Sequence, residues 1–167
     1  MDKNLLIIGA GGHGKVVAEV ADACGYENIV FLDDNSPEAI GKINDIASFI
    51  REFPNAFVGI GNNQFRNEML MKLNEIGYYI PVLIHPTAYV SKSASISKGT
   101  VVEPLAIINA NSIVGQGCII SVGAIVDHDV VLGECVHVNA GAVVKSGARV
   151  GMNYKVEAGE IFRNIDL

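Results

Sequence analysis

The 167 residues are half apolar, only 18% charged, and carry a formal net charge of −6. That balance is too apolar for a disordered chain, and no apolar run approaches the roughly 20 residues of a membrane span. The acidic excess argues against nucleic acid or an anionic membrane as the main partner, and three cysteines (Cys24, Cys118, Cys135) without metal-ligand spacing predict neither a disulfide framework nor a metal site.

Asp2 and Lys3 lead into Leu5-Leu6-Ile7-Ile8, an apolar run too short for a signal-peptide core, so the expected location is cytoplasmic. This run reads as a buried strand. It is followed by Gly9-Ala10-Gly11-Gly12-His13-Gly14 and an amphipathic helix from about Lys15 to Ala23. Glycines 9, 11 and 14 fit G-x-G-x-x-G, and a second strand, Asn28 to Leu32, ends in Asp33-Asp34, where a ribose-binding acid sits in a dinucleotide fold. The alternative is that these glycines only permit tight strand-to-helix packing. His13 in this loop suits a phosphate or ligand contact, or is simply tolerated there.

A third strand, Ala56 to Ile60, runs into Gly61-Asn62-Asn63 and a helix of about Gln64 to Ile76, after which Tyr78 to Leu83 leads onward. One βαβ-type half, rather than two, favours a mononucleotide or nucleotide-sugar ligand over NAD.

From Ile84 the period changes to six. Ile84, Val90, Ile96, Val102, Ile108, Val114, Ile120, Val126, Leu132, Val138, Val144, Val150, Val156 and Phe162 fall in one frame, and four places after most of them stands a small residue such as Ala106, Ser112, Cys118 or Ala124. A bulky β-branched residue alternating with a small one suits a short strand plus a corner, with three sides closing a triangular coil and coils stacking about 4.8 Å apart. Fourteen hexads make four to five coils without an inserted loop. Handedness does not follow from this spacing. A purely structural solenoid is the bland alternative for this half.

One hexad sets a histidine between two acids: Val126-Asp127-His128-Asp129-Val130-Val131. A histidine flanked by two carboxylates is a plausible general base, since a carboxylate fixes the ring tautomer and stabilises the imidazolium; it also reads as a corner histidine held by its neighbours. His137 follows nine residues later, half a coil on, and is a candidate for the same groove. Cys118 and Cys135 read as inward fillers with no base-acid relay, which favours direct transfer over a covalent intermediate.

Taken in order, Gly9-Ala10-Gly11-Gly12-His13-Gly14, Phe31-Leu32-Asp33-Asp34, Ile60-Gly61-Asn62-Asn63 with Arg66, Leu83-Ile84-His85 and Val126-Asp127-His128-Asp129 resemble the hexapeptide-repeat sugar O- and N-acetyltransferases. These include sialic acid O-acetyltransferases and UDP-4-amino-sugar N-acetyltransferases. The resemblance implies a Rossmann-like α/β nucleotide-sugar-binding domain over 1–82 and a left-handed parallel β-helix carrying the acetyl-CoA and catalytic site over 83–167. It also implies a homotrimer with acetyl-CoA in a groove between adjacent β-helices, and no metal. On the same basis His128 matches the base, Asp129 the acid that orients it, and His137 a residue contacting the acetyl group. Lys145 and Ser146 match positions near the coenzyme, while Gly11, Gly12, His13, Asp33, Asp34, Gly61 and Asn62 match nucleotide-sugar contacts.

The chain departs from the family pattern at Ser121, where Asn is common, at Lys145-Ser146, where Ala-Gly is common, and in its end, Ile161 to Leu167, which lacks a further coil and tail. Lys145, Arg149, Lys155 and Arg163 are candidates for coenzyme phosphates or for plain solvated charge. The expected activity is acetyl transfer to the amino group of a nucleotide-linked amino sugar in surface glycan or glycoprotein biosynthesis. O-acetylation of sialic acid or another sugar is the alternative, and a non-catalytic nucleotide-sugar-binding protein, on account of the short last coils, a third.

Overall fold

A computed structural model describes residues 3–163; the tail from Asn164 to Leu167 lies outside the described residues. The chain forms two compact units, 1–81 and 82–167. Among the described residues no helix is long and apolar enough to cross a membrane.

The first unit is built on a parallel three-stranded sheet. Strand β1 (Asn4–Ile8) runs centrally, flanked by β2 (Asn28–Leu32) and β3 (Asn55–Val58), with Leu6 in register with Val30 on one side and Ala56 on the other. Leu5 to Ile8 are fully buried, which is why β1 reads as an unbroken apolar run rather than an alternating one. Helix α1 (Gly12–Ala23) follows β1, and helix α2 (Asn63–Ile76) follows β3.

Helix α1 begins three residues earlier than the amphipathic pattern predicts, with Gly11 as its N-cap. The cause is close backbone packing at the turn. A Cβ on Gly14 would lie 2.0 Å from the Gly9 carbonyl oxygen, and one on Gly59 would lie 2.7 Å from the Gly14 Cα. Strand β3 likewise ends at Val58 instead of Ile60, because Gly59 is pressed against this turn. Between β2 and β3 lies a 3₁₀ turn, Ile43–Ser48; it buries Ile46, whose carbonyl accepts the Tyr78 hydroxyl at 2.6 Å.

The second unit is the left-handed parallel β-helix. Fourteen two-residue strands, β4 (Leu83–Ile84) to β17 (Ile161–Phe162), recur every six residues and form three walls of five, five and four strands. Every residue of the apolar frame is the second of its strand, and from Val90 to Phe162 each belongs to or packs on the core, whereas Ile84 in the first strand is exposed. From Thr100 to Ala148 the small frame is buried too, and where it is polar the next coil satisfies it: Thr100 Oγ1 donates to the Gly115 carbonyl at 3.0 Å, and Ser112 Oγ to that of Asp127 at 2.6 Å.

The corners supply the other half of the repeat. From residue 99 to residue 159, every sixth residue has φ between 54° and 72°. Glycine holds six of these positions; Leu105, Asn111, Asp129, Cys135 and Asn153 hold the rest. A left-handed residue once per hexad turns the chain through each corner, and asparagine and aspartate tolerate it better than most.

Candidate functional site

Two groups of side chains stand out, one in each unit. In the first unit the loops after β1, β2 and β3 share the carboxyl-terminal edge of one parallel sheet, the edge where open α/β sheets bind ligands. This gathers Gly11, Gly12 and His13 from the first loop, Asp33 and Asp34 from the second, and Gly61 and Asn62 from the third.

The glycines divide by role. Gly9, Gly14 and Gly59 are required by packing, whereas a Cβ on Gly11, Gly12 or Gly61 would meet nothing within 4 Å. The packing explanation therefore covers only part of the motif, and the other three glycines keep an open backbone surface. Gly11 caps α1 with no side-chain hydrogen bond and no acidic residue stands in its first turn, so the positive helix end faces that surface uncompensated by its own side chains. Helix α2, by contrast, is capped by Asn62, whose Oδ1 accepts the Phe65 N–H at 2.9 Å.

The two acids fasten loops. Asp33 accepts the N–H of Ala10 at 2.9 Å on one oxygen and those of Asn35 and Ser36 on the other, and these bonds, Ala10 first, hold its carboxyl below the usual range. Asp34 accepts the Ile43 N–H at 3.1 Å. Arg66, present in the sequence motif without an assigned role, is buried and donates to the carbonyls of Ile60 and Gly61 and to Asn63 Oδ1. It fixes the Gly61–Asn62 loop from beneath.

In the β-helix, His128 lies at the corner between β11 (Ile125–Val126) and β12 (Val131–Leu132). Its Nδ1 is 2.7 Å from Asp129 Oδ2. An ionised carboxylate only accepts, so Nδ1 carries the proton and Nε2 is the nitrogen left to take another. The Asp129 hydrogen bond pushes the imidazole pKa above its ordinary value, and the same bond, helped by Asn111, pulls that of Asp129 down.

The two carboxylates flanking His128 are not equivalent. Asp127 turns to the backbone, accepting the His128 N–H at 2.8 Å, and to Asn109 Nδ2 at 3.2 Å; only Asp129 engages the ring. Lys145 and Ser146 follow β14 (Val143–Val144) and stack one coil above Asp127 and His128.

Within one chain His137 stands apart from His128. It lies on β13 (His137–Val138), in the wall that contains neither β11 nor β12, with Nε2 3.0 Å from Ser121 Oγ. The His128 corner joins the other two walls, so within one chain the histidines occupy opposite sides of the prism and share no groove. Among the described residues no cluster of three or more histidine, cysteine, aspartate or glutamate side chains could hold a metal ion.

Residues 4–73 match the PglD N-terminal domain family. Over 110 residues the chain is 34% identical to the UDP-N-acetylbacillosamine N-acetyltransferase of Bacillus subtilis (strain 168); the match covers 60% of this chain and 51% of that one, so the chain spans about half the length of the curated relative it matches. The acetyltransferase domain of PglB from Neisseria gonorrhoeae FA1090, solved with acetyl coenzyme A, superposes with a TM-score of 0.82 at 35% identity over 98% of this chain and 92% of that one. A mutant perosamine N-acetyltransferase from Caulobacter crescentus, solved with CoA and GDP-perosamine, gives 0.86 at 30% identity over 96% and 89%. With motif order, fold and similarity in agreement along nearly the whole chain, the protein belongs to the PglD-type family of hexapeptide-repeat sugar acetyltransferases.

Proposed function

We propose that the chain transfers the acetyl group of acetyl-CoA to the amino group of a nucleotide-linked amino sugar of the UDP-4-amino-sugar type, in surface glycan or glycoprotein biosynthesis. The observation that carries this reading is the 2.7 Å His128–Asp129 pair at a solenoid corner, in a chain whose relatives bear the names of sugar N-acetyltransferases.

In this mechanism the sugar amine attacks the thioester carbonyl and His128 Nε2 takes the proton the nitrogen sheds. Asp129 holds the ring and stabilises the imidazolium. Collapse of the tetrahedral intermediate expels the coenzyme thiolate and leaves the sugar amide. His137 donates to the developing oxyanion, and Lys145 and Ser146 line the coenzyme side. The domain over residues 1–82 holds the sugar nucleotide through Gly11, Gly12, His13, Gly61 and Asn62, with Asp33 and Asp34 shaping the loops; residues 83–167 hold acetyl-CoA and the chemistry.

A homotrimer accommodates the opposite placement of the histidines, because a neighbouring copy brings its His137 wall to the His128 corner. Its support is an outward apolar column, Tyr89, Ile107, Ile125, Val143 and Ile161, in register along one wall and left partly exposed. We place the enzyme in the cytoplasm, where acetyl-CoA and activated sugars are made.

Calorimetric titration with acetyl-CoA and, separately, a UDP-linked 4-amino sugar tests the assignment. Binding of both, followed by thiol release on mixing, is expected. Thiol release with a hydroxyl acceptor but not the amine would transfer the reading to O-acetylation, and sugar-nucleotide binding without coenzyme binding would make the chain a binding protein.

A further inference from the structure

The acids flanking His128 rest on two asparagines one coil earlier. Asn109 Nδ2 donates to Asp127 Oδ1 and Asn111 Nδ2 to Asp129 Oδ1, each at 3.2 Å and each across 18 residues. Asn111 and Asp129 also share the left-handed turn position of successive corners, with φ of 59° and 60°. Asn111 is itself anchored from below, its N–H donating to Ser93 Oγ at 3.1 Å.

We propose that Asn111 is a positioning residue for the His128–Asp129 pair: its amide grips one carboxylate oxygen of Asp129 and so aims the other at the imidazole. The inference rests on the reading of His128 as the base. More than half of the Asp129 side chain is exposed, and an exposed histidine–carboxylate pair has little holding strength of its own against water and side-chain rotation. A donor on a rigid neighbouring rung supplies the missing constraint. It must be neutral, because a lysine there would compete with the imidazole for the carboxylate charge. Asn109 does not substitute for it, since its bond goes to Asp127, which touches only the His128 backbone.

The charges bearing on the ring are those of Asp127 and Asp129. The adjoining coils present Asn109 and Asn111 from below and the Ser146 N–H, donating to Asp127, from above, with Lys145 in the column of Asp127.

Two variants of the full chain test this. Asn111→Gly keeps the turn, the N–H to Ser93 and the fold, but removes the amide. Asn111→Asp is nearly isosteric and sets a carboxylate beneath Asp129. Titration of the His128 imidazole, followed by NMR, is expected to shift downward in the glycine variant, as Asp129 swings free, and upward in the aspartate variant, from the added negative charge. In the glycine variant kcat falls roughly three- to tenfold, the worth of one hydrogen bond, with both KM values unchanged. A purely structural role would not move the titration in opposite directions at similar thermal stability. Titrations that stay at the wild-type value in both variants, or move the same way in both, overturn the proposal. If His128→Ala turns over like wild type, the base assignment fails instead, and the NMR shifts alone still decide whether Asn111 positions Asp129.

Discussion

Substituting alanine at two glycines of one loop separates packing from ligand binding. At Gly14 the new Cβ would sit 2.0 Å from the Gly9 carbonyl oxygen and 2.9 Å from its carbon. Main chain lies on both sides of that contact, so α1 must retreat from β1 by about 1 Å, a severe case of the overpacking that ordinarily costs about 1–3 kcal/mol. For a unit of this size that lowers Tm by roughly ten degrees. At Gly12 the Cβ meets nothing, and the residue is already helical. There alanine restricts the unfolded chain and stabilises by about 0.5 kcal/mol, raising Tm by a few degrees. If the open face of the loop is where the sugar nucleotide lies, this more stable variant binds it at least tenfold more weakly, while acetyl-CoA affinity is unchanged. Thermal melts and calorimetric titrations read both quantities. A Gly12→Ala protein that is more stable and binds the sugar nucleotide as wild type does would refute the reading of this open loop face as the sugar-nucleotide surface.

Further substitutions probe the β-helix. Asp129→Asn should lower kcat and move the acid limb of its pH profile downward, because the carboxylate that raises the His128 pKa is gone; Asp127→Asn, which keeps an acceptor for the His128 N–H, should change the limb less, and equal effects would contradict the division of labour between the acids. Glu103 is buried, and burial raises its pKa although the Val122 N–H donates to it at 2.9 Å. A raised carboxyl pKa means the folded state binds the proton more tightly, so this group's contribution is present below its unfolded pKa and is lost as pH rises through the folded one. Glu103→Gln should therefore gain in Tm over wild type as pH rises from acid to neutral, and a gap independent of pH would refute the assignment.

The solenoid was legible because its physics repeats: one bulky and one small inward residue per hexad leave a frame that short-range context cannot hide. The left-handed corner ladder was equally readable in hindsight, since Gly99, Asn111, Gly117, Gly123, Asp129, Gly141, Gly147, Asn153 and Gly159 stand six or a multiple of six apart. Leu105 and Cys135 mask it, occupying a conformation those residue types disfavour. The hydrogen bonds that brace the acids beside His128 join residues 18 apart, so Asp127 and Asp129 are legible from local sequence whereas Asn109 and Asn111 are not. The same arithmetic places His137, nine residues on and half a coil away, across the prism from His128. In the first unit the boundaries of α1 and β3 shifted because Gly9, Gly14 and Gly59 act through one backbone contact that no local propensity encodes.

The central claim is tested most directly by thiol release from acetyl-CoA, with a UDP-linked 4-amino sugar as acceptor, by wild type and His128→Asn. Loss of a general base should reduce kcat by roughly 10²- to 10⁴-fold, with calorimetric affinity for both ligands retained. A His128→Asn enzyme with wild-type kcat would contradict the assignment of His128 as the base.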